Sequence, residues 1–417
     1  MTKRSKDSKK ILLTVICVAL AGLLTAMTIT ALVVTRRTDD KPQGKTTAST
    51  TESTTAPTYN TTPVKIQFAG DVLLHESTAG RAQQSDGTYN FDKYFDVVDD
   101  YIDCDLGLVD IEGCVDYKGN NASLAYYPYF NVPNQIVPAL KKIGFTTIIT
   151  ANNHAWDYGF DGMKGTVRTI TSNGMEQLGD YFSAQEAQST FIKEINGIKI
   201  GICAWTDSTN GNYMPDEYSA FCTKRFNSGK VEDAQRIVAD VNALRQAGAE
   251  FVICCFHWGT EYQDLPTETQ RQIAKAVIEG GADLIVGNHP HCIQPAQAFT
   301  VTRGGKQVKR YVFYACGNFI ADQIILEKDA LKTQQSVLGT LVIQRNGQTG
   351  QVEIKEIGYL PLLTHAYYYS GVKSTYKVLP IKQLVDNPIE CAYASPGYFK
   401  SSYDRVVKLM GDDVKPD

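Results

Sequence analysis

The chain has 417 residues, a formal net charge of −4 and a pI near 5.9. Beyond the N-terminus its Lys and Arg form no basic tract in the sequence, which argues against a nucleic-acid partner and against a polyanion or membrane-surface patch. Ten cysteines without any CxxC spacing exclude a zinc ribbon.

Residues 1–10 are basic and residues 11–34 (ILLTVICVALAGLLTAMTITALVV) carry no charge, a length that spans a bilayer as a helix. The apolar run is longer than that of a cleavable signal and continues to Arg36 and Arg37, so the expectation is an uncleaved signal anchor. The positive-inside rule places residues 1–10 in the cytoplasm, making this a single-pass cell-membrane protein with its C-terminal domain extracytoplasmic. Residues 35–63 are rich in Thr and Ser, lack apolar periodicity and form a linker.

From residue 64 onward, strand-length apolar runs recur: VKIQFAG, LGLVDIE, FTTIIT, IKIGICAW, FVICCF, ADLIVG and RYVFYACG. Helix-length amphipathic segments lie between them, at 133–143, 231–247 and 267–280. Buried strands alternating with helices predict an α/β fold. After residue 336, two alternating strands around an Asn-Gly turn predict a hairpin that closes a second sheet. The main domain is expected over 64–375, with 376–417 an irregular or short-helical tail. Cys17 lies in the apolar span, and Cys203, Cys254, Cys255 and Cys316 fall in strand-like runs where a thiol acts as a small hydrophobe, leaving Cys104 with Cys114 as the one local pair for a disulfide.

Nearly every apolar run stops at a residue of metal-ligand type. Asp71 ends the first, Glu112 the second, and Asn153 with His154 follow the third. His257 follows FVICCF, and His289 and His291 follow ADLIVGN; with His75, this accounts for five of the six histidines. In open α/β sheets ligands bind beyond the carboxyl ends of the strands, so these groups converge on one place. Carboxylate, amide oxygen and imidazole suit Mn, Fe or Zn rather than the all-oxygen cage of calcium. Seven ligands exceed one tetrahedral ion and suit two ions about 3.5–4 Å apart. The blander alternatives are polar loop histidines, helix caps at Asp71, Glu112 and Asn152, and packing roles for Trp258 and Tyr262.

The stretches FAGDVLLH, LVDIEG, TANNHAWDYG, CFHWGTEY, VGNHPHCIQP and YACGNFIADQ, between residues 68 and 323, resemble those of the CapA family of poly-γ-glutamate capsule synthesis proteins, within the calcineurin-like metallophosphoesterase superfamily. The resemblance implies a four-layer α/β/β/α sandwich. It also implies two divalent ions, one held by Asp71, Glu112 and His291 and the other by Glu112, Asn153, His257 and His289. His154 would stand outside the ligand set, stabilising charge or donating a proton, oriented by Asp157. Two departures stand out: Leu73 replaces the histidine of the superfamily's Asp-x-His, and Glu112 stands where Asp is usual. His75 is available to replace that imidazole, at a spacing the motif does not have.

The implied function is synthesis, export or anchoring of a poly-γ-glutamate-type capsule, with an anionic envelope polymer or a capsule-synthesis membrane complex as partner. Two other readings stay open, a dimetal phosphatase or phosphodiesterase of an envelope substrate and a non-catalytic polymer-binding or assembly protein. The shortage of basic residues near the motifs speaks against an ordinary phosphatase and leaves room for chemistry at a γ-glutamyl bond.

Overall fold

Runs such as Leu106–Ile111 and Phe251–His257 have almost nothing polar to offer water, so they are stable only where both faces are covered. Every residue of both runs is buried. The computed structural model describes residues 59–323, 330–369, 372–388 and 396–417. The basic segment, the apolar span 11–34 and the linker up to residue 58 lie outside the described residues. Among those described, no helix is long and apolar enough to cross a membrane.

Two parallel strands, β1 (Val64–Val72) and β2 (Leu106–Ile111), start the first sheet. A short parallel ribbon follows, β3 (Cys114–Val115) with β4 (Asn131–Val132), and then β5 (Thr147–Ile149) and β6 (Glu176–Leu178) extend the sheet in parallel. The second sheet takes β7 (Phe191–Ile195), β8 (Ile198–Thr206), β9 (Phe251–His257), β10 (Leu284–Asn288), β11 (Ile293–Arg303) and β12 (Lys306–Cys316). Its spatial order is β11-β12-β10-β9-β8-β7, parallel from β12 to β8 with antiparallel strands at both edges. The chain then returns to the first sheet with β13 (Asn318–Ile320), β14 (Gln335–Arg345), β15 (Val352–Tyr369), β16 (Val372–Pro380) and β17 (Lys415–Pro416).

Alternation along the strands divides the core into three layers. Ile66, Phe68, Leu106 and Leu108 of the first sheet meet Ile200, Ile202, Ile253, Cys255, Leu284 and Val286 of the second. On the outer face of the first sheet, Val109, Ile111 and Ile148 pack against Tyr94, Phe95 and the helix Ile136–Lys142. On the outer face of the second, Val252, Cys254 and Ile285 pack against the helices Ala234–Gln246 and Glu268–Glu279. The latter helix starts at a capping box in which Thr267 and Gln270 satisfy each other's backbone N–H groups. Helices thus cover the outer side of each sheet, and the core between them is sheet-rich α/β.

Several local expectations come out differently. The hairpin β14–β15 joins the first sheet instead of closing a second one, because β14 pairs antiparallel with the open edge of β1. The segment from 376 onward holds the end of β16 and the helices Ile381–Asp386 and Pro396–Met410, and Phe399, Val406 and Met410 fill the central core. The helix Gly159–Ser172 went unread because three glycines and several threonines dilute its helical signal. Gly165 is there for packing, since a Cβ would lie 2.2 Å from the Cα of Tyr117. Cys104 and Cys114 are both free, the first with Sγ 3.8 Å from Gly144 O and the second 3.9 Å from Ala155 O.

Candidate metal centre

The inward row of each central strand is apolar along its length and polar at its end. On β2 the row runs Leu106, Leu108, Asp110; on β9 it runs Phe251, Ile253, Cys255, His257. The same count leads from Ile149 and Ala151 after β5 to Asn153. Asp71 breaks this parity, three residues after inward-facing Phe68. The pairing of β1 with β2 slips by one residue between Phe68 and Asp71, a bulge that turns Asp71 inward opposite Asp110. Gly70 permits it, since a Cβ there would sit 1.7 Å from Gly317 O.

His289 and His291 flank Pro290 in a loop where both have left-handed backbone, with φ of 98° and 55°. Such conformations cost a non-glycine residue on the order of 1–3 kcal/mol and gather at functional sites. The loop is tied to the first sheet by His289 N, which donates to Asp71 Oδ2 at 3.2 Å. The strained backbone thus falls at two neighbouring imidazoles held against a carboxylate from the other sheet.

Three groups of side chains each bring their ligand atoms within 4.8 Å of one another: Glu112, His257 and His289; Asp71, Glu112 and His291; and Asp71, Asp110 and His257. Glu112 joins the first two. Its Oε1 is 3.6 Å from His257 Nε2 and its Oε2 is 3.7 Å from His291 Nδ1. Asn153 Oδ1 lies 2.8 Å from His257 Nε2, beside the first group. All these side chains are buried. Both carboxylate oxygens of Glu112 and Oδ1 of Asp71 are buried without any hydrogen-bond donor. Buried acceptors are almost always satisfied, and a divalent cation is the partner that three acceptor oxygens ringed by imidazoles lack. The residues fit a metal site.

The electrostatics agree with a site built for added positive charge. Burial, with Glu112 next to it, pushes the Asp71 carboxyl well above its usual range, and burial likewise raises Asp110. Burial alone would raise Glu112 too, but His291, His257 and His154 hold it below the ordinary carboxylate range. Burial would lower His257, yet Glu112 and Asp110 raise it well above its ordinary value, while burial and the neighbouring His257 and His291 push His289 well down.

His154 stands at the rim, its Nε2 3.9 Å from Glu112 Oε1. Its Nδ1 is 2.7 Å from Asp157 Oδ2, which also accepts from Phe130 N at 2.7 Å. Asn210 Nδ2 lies 3.1 Å from His154 Nε2 and Asn210 Oδ1 accepts from Asn153 Nδ2, also at 3.1 Å. The rim opens into a cleft of about 470 Å³ lined by Tyr127, Tyr129, His154, Asn210, Glu261 and Tyr262 among others, with no Lys or Arg among its described lining residues.

All eight sequence-predicted residues, Asp71, Glu112, Asn153, His154, Asp157, His257, His289 and His291, therefore meet in one region. His75 belongs to none of the three groups; its Nδ1 accepts from Asp322 N at 3.3 Å. Trp258 is a packing residue, wholly buried with Nε1 donating to Tyr314 O, whereas Tyr262 lines the cleft with its ring 5.9 Å from that of His291. Sequence reading missed Asp110, which holds His257 Nδ1 at 3.1 Å and accepts from Asn152 Nδ2 at 2.9 Å. The signal was present, an acid at the inward parity of β2. It also missed Asn210, which no strand end marks, and Asn318, whose Oδ1 is 3.1 Å from His291 Nδ1.

Comparison with known proteins is consistent with this geometry. The family profile described as bacterial capsule synthesis protein PGA_cap matches residues 65–323. The PGA biosynthesis protein CapA of Bacillus subtilis (strain 168) is 27% identical over 313 residues, 74% of this chain and 75% of that one. The capsule biosynthesis protein CapA of Bacillus anthracis is 28% identical over 198 residues, 47% of this chain and 44% of that one, so less than half of its length is spanned. Among solved structures, a putative 5'-nucleotidase from Staphylococcus aureus in complex with alpha-ketoglutarate aligns with a TM-score of 0.43 and 14% identity, over 82% of this chain and 58% of that one. With the matched region covering Asp71, Glu112, His154, His257, His289 and His291, the chain belongs to the PGA_cap family of bacterial capsule synthesis proteins.

Proposed function

We propose that this is an envelope-anchored protein of poly-γ-glutamate capsule synthesis whose cleft is a metal-dependent hydrolase-type site acting at the γ-glutamyl amide bond. The observation that carries it is the set of donorless buried oxygens of Asp71 and Glu112, ringed by His257, His289 and His291, at the foot of a cleft with no Lys or Arg among its described lining residues. Two divalent ions of the Mn, Fe or Zn type suit the donors, one beside Asp71, Glu112 and His291 and the other beside Glu112, Asn153, His257 and His289. When bound, they supply Lewis acidity at the base of the cleft.

The chain's own residues do the rest. With Nδ1–H donated to Asp157, His154 keeps Nε2 as its working atom, placed to hold a proton near Glu112 and deliver it to a leaving amine nitrogen. Asn210 bridges His154 and Asn153 and fixes their separation. Tyr127, Tyr129 and Tyr262 offer aromatic surface and hydroxyls rather than charge, which suits an amide backbone better than a phosphate dianion. The family's calcineurin-like ancestry keeps phosphoester hydrolysis as the second reading. The lack of Lys or Arg among the described lining residues disfavours it.

Replacing His289 and His291 together by glycine keeps the left-handed backbone and removes both imidazoles. Metal content, γ-glutamyl polymer cleavage or display, and phosphodiester hydrolysis are then measured on the same full-length protein. The expected result is loss of metal and of polymer activity with folding retained. Unchanged metal content and polymer activity would overturn the assignment, and fast phosphodiester turnover with indifference to polymer would replace it by the second reading. The membrane anchor is part of the proposal and is tested by protease shaving of intact cells, where a C-terminal domain that stays protected, or a soluble form starting after residue 37, would refute it.

A further inference from the structure

A cavity of about 530 Å³ lies at the opposite end of the second sheet from the metal centre. Glu250 and Asp283, in its wall, immediately precede β9 and β10, whereas His257 and His289 stand at the far ends of those strands. Five cations line it, Arg245, Arg303, Lys306, Lys309 and Arg310, against the three carboxylates Asp283, Glu250 and Glu353. These cations come from a helix end and the β11–β12 hairpin, so the gathering is invisible in the sequence.

Each of the three carboxylates is already engaged. Buried Asp283 accepts from Arg310 Nε at 2.5 Å, from Val252 N at 2.8 Å and from Arg245. Glu250 is held by both guanidinium nitrogens of Arg345, at 2.6 and 2.7 Å, and Glu353 by Lys355 at 2.7 Å. Arg303, by contrast, donates only to the carbonyls of Ile278, Thr302 and Ala282, and its buried Nε has no acceptor. Lys306 and Lys309 are exposed and have no ion-pair partner among the described residues. The plainer account is that Arg303 caps the helix Glu268–Glu279 and the lysines aid solubility. That account leaves unexplained why three cations without an ion pair among the described residues, Arg303, Lys306 and Lys309, line one concavity.

We infer that this cavity is a binding site for a phosphate group, either free or carried on a phospholipid headgroup. Guanidinium and ammonium groups lining one cavity suit a tetrahedral anion with oxygens on all sides. The chain also enters the described domain here: Tyr59 packs against Gly350 of the cavity wall, with Arg345 over its ring at 6.0 Å. The inference is independent of the chemistry assigned to the metal cleft.

The test uses the full-length protein in detergent with chelator present, so that a metal-loaded cleft does not capture phosphate. Inorganic phosphate and a short-chain phosphatidylglycerol below its micelle threshold are titrated by calorimetry at constant ionic strength. Lys306→Gln with Lys309→Gln, both at exposed positions, is compared with Lys93→Gln with Lys164→Gln, which removes the same charge elsewhere. Saturable binding of either probe, weakened about tenfold by the first pair and not by the second, is expected for loss of charge-assisted contacts. The preferred probe identifies the source. Absence of binding, or equal weakening by both pairs, would overturn the inference.

Discussion

Glu112→Gln tests the metal centre most directly, because Glu112 belongs to two of the three ligand groups and both its oxygens are buried without a donor. His291, His257 and His154 hold Glu112 ionised, so in metal-free protein the neutral amide removes that pairing and lowers stability. In metal-loaded protein the same change removes the shared ligand. For a cation at about 1,000 times its Kd, linkage adds about 4.1 kcal/mol to the stability of the native state. The compact unit Pro57–Asp417 has about 360 residues, which at about 2.1 cal/mol/K per residue gives an unfolding entropy of roughly 0.75 kcal/mol/K and a Tm shift of about 5 °C. Differential scanning calorimetry of the full-length protein, with chelator and then with excess Mn or Zn, should show that shift in the wild type and little of it in the variant. Two results would refute the reasoning. One is a wild type indifferent to the cation; the other is a variant that keeps the full shift between chelator and excess metal.

His154→Ala should lower turnover of the polymer by about 100-fold or more while elemental analysis shows unchanged metal, as for loss of a positioned acid or base. Asp157→Asn should have a smaller effect, about tenfold, and shift the pH profile, since Asp157 only orients His154. Asp180, outside the metal centre and accepting from Thr223 Oγ1 at 2.7 Å, has its carboxyl pushed up to about 7 by burial. Its raised pKa means that its contribution is fully present below about pH 4 and lost as pH rises through 7, a change of up to about 4 kcal/mol. In chelator, Asp180→Asn should therefore stabilise the protein at pH 8.5 and not at pH 4, as read by urea denaturation. Asp283→Ala, which strands buried Arg310 and half-buried Arg245, should cost about 3–5 kcal/mol by the same assay.

The sequence by itself determined the strands, their alternation with helices, and the ligand types at their ends. These are local properties: an apolar run of seven residues needs burial whatever surrounds it, and a polar residue at its carboxyl end needs a polar or ionic partner there. That is why Asp71, Glu112, Asn153, His257, His289 and His291 could be named from the sequence before the fold was known. Tertiary structure decided what depends on pairing between distant segments. The slipped register of β1 against β2 turns Asp71 inward, and the contact between two inward rows, 147 residues apart in the chain, gives His257 its partner Asp110. The left-handed backbone at His289 and His291, in a loop that donates His289 N to Asp71, likewise belongs to the fold and not to the local sequence. The cations around the second cavity are the extreme case: Arg245 and Arg310 are far apart in sequence and come together because both reach the same buried Asp283. Charge read along the chain is a one-dimensional average, and a charged site forms wherever folding superposes its parts.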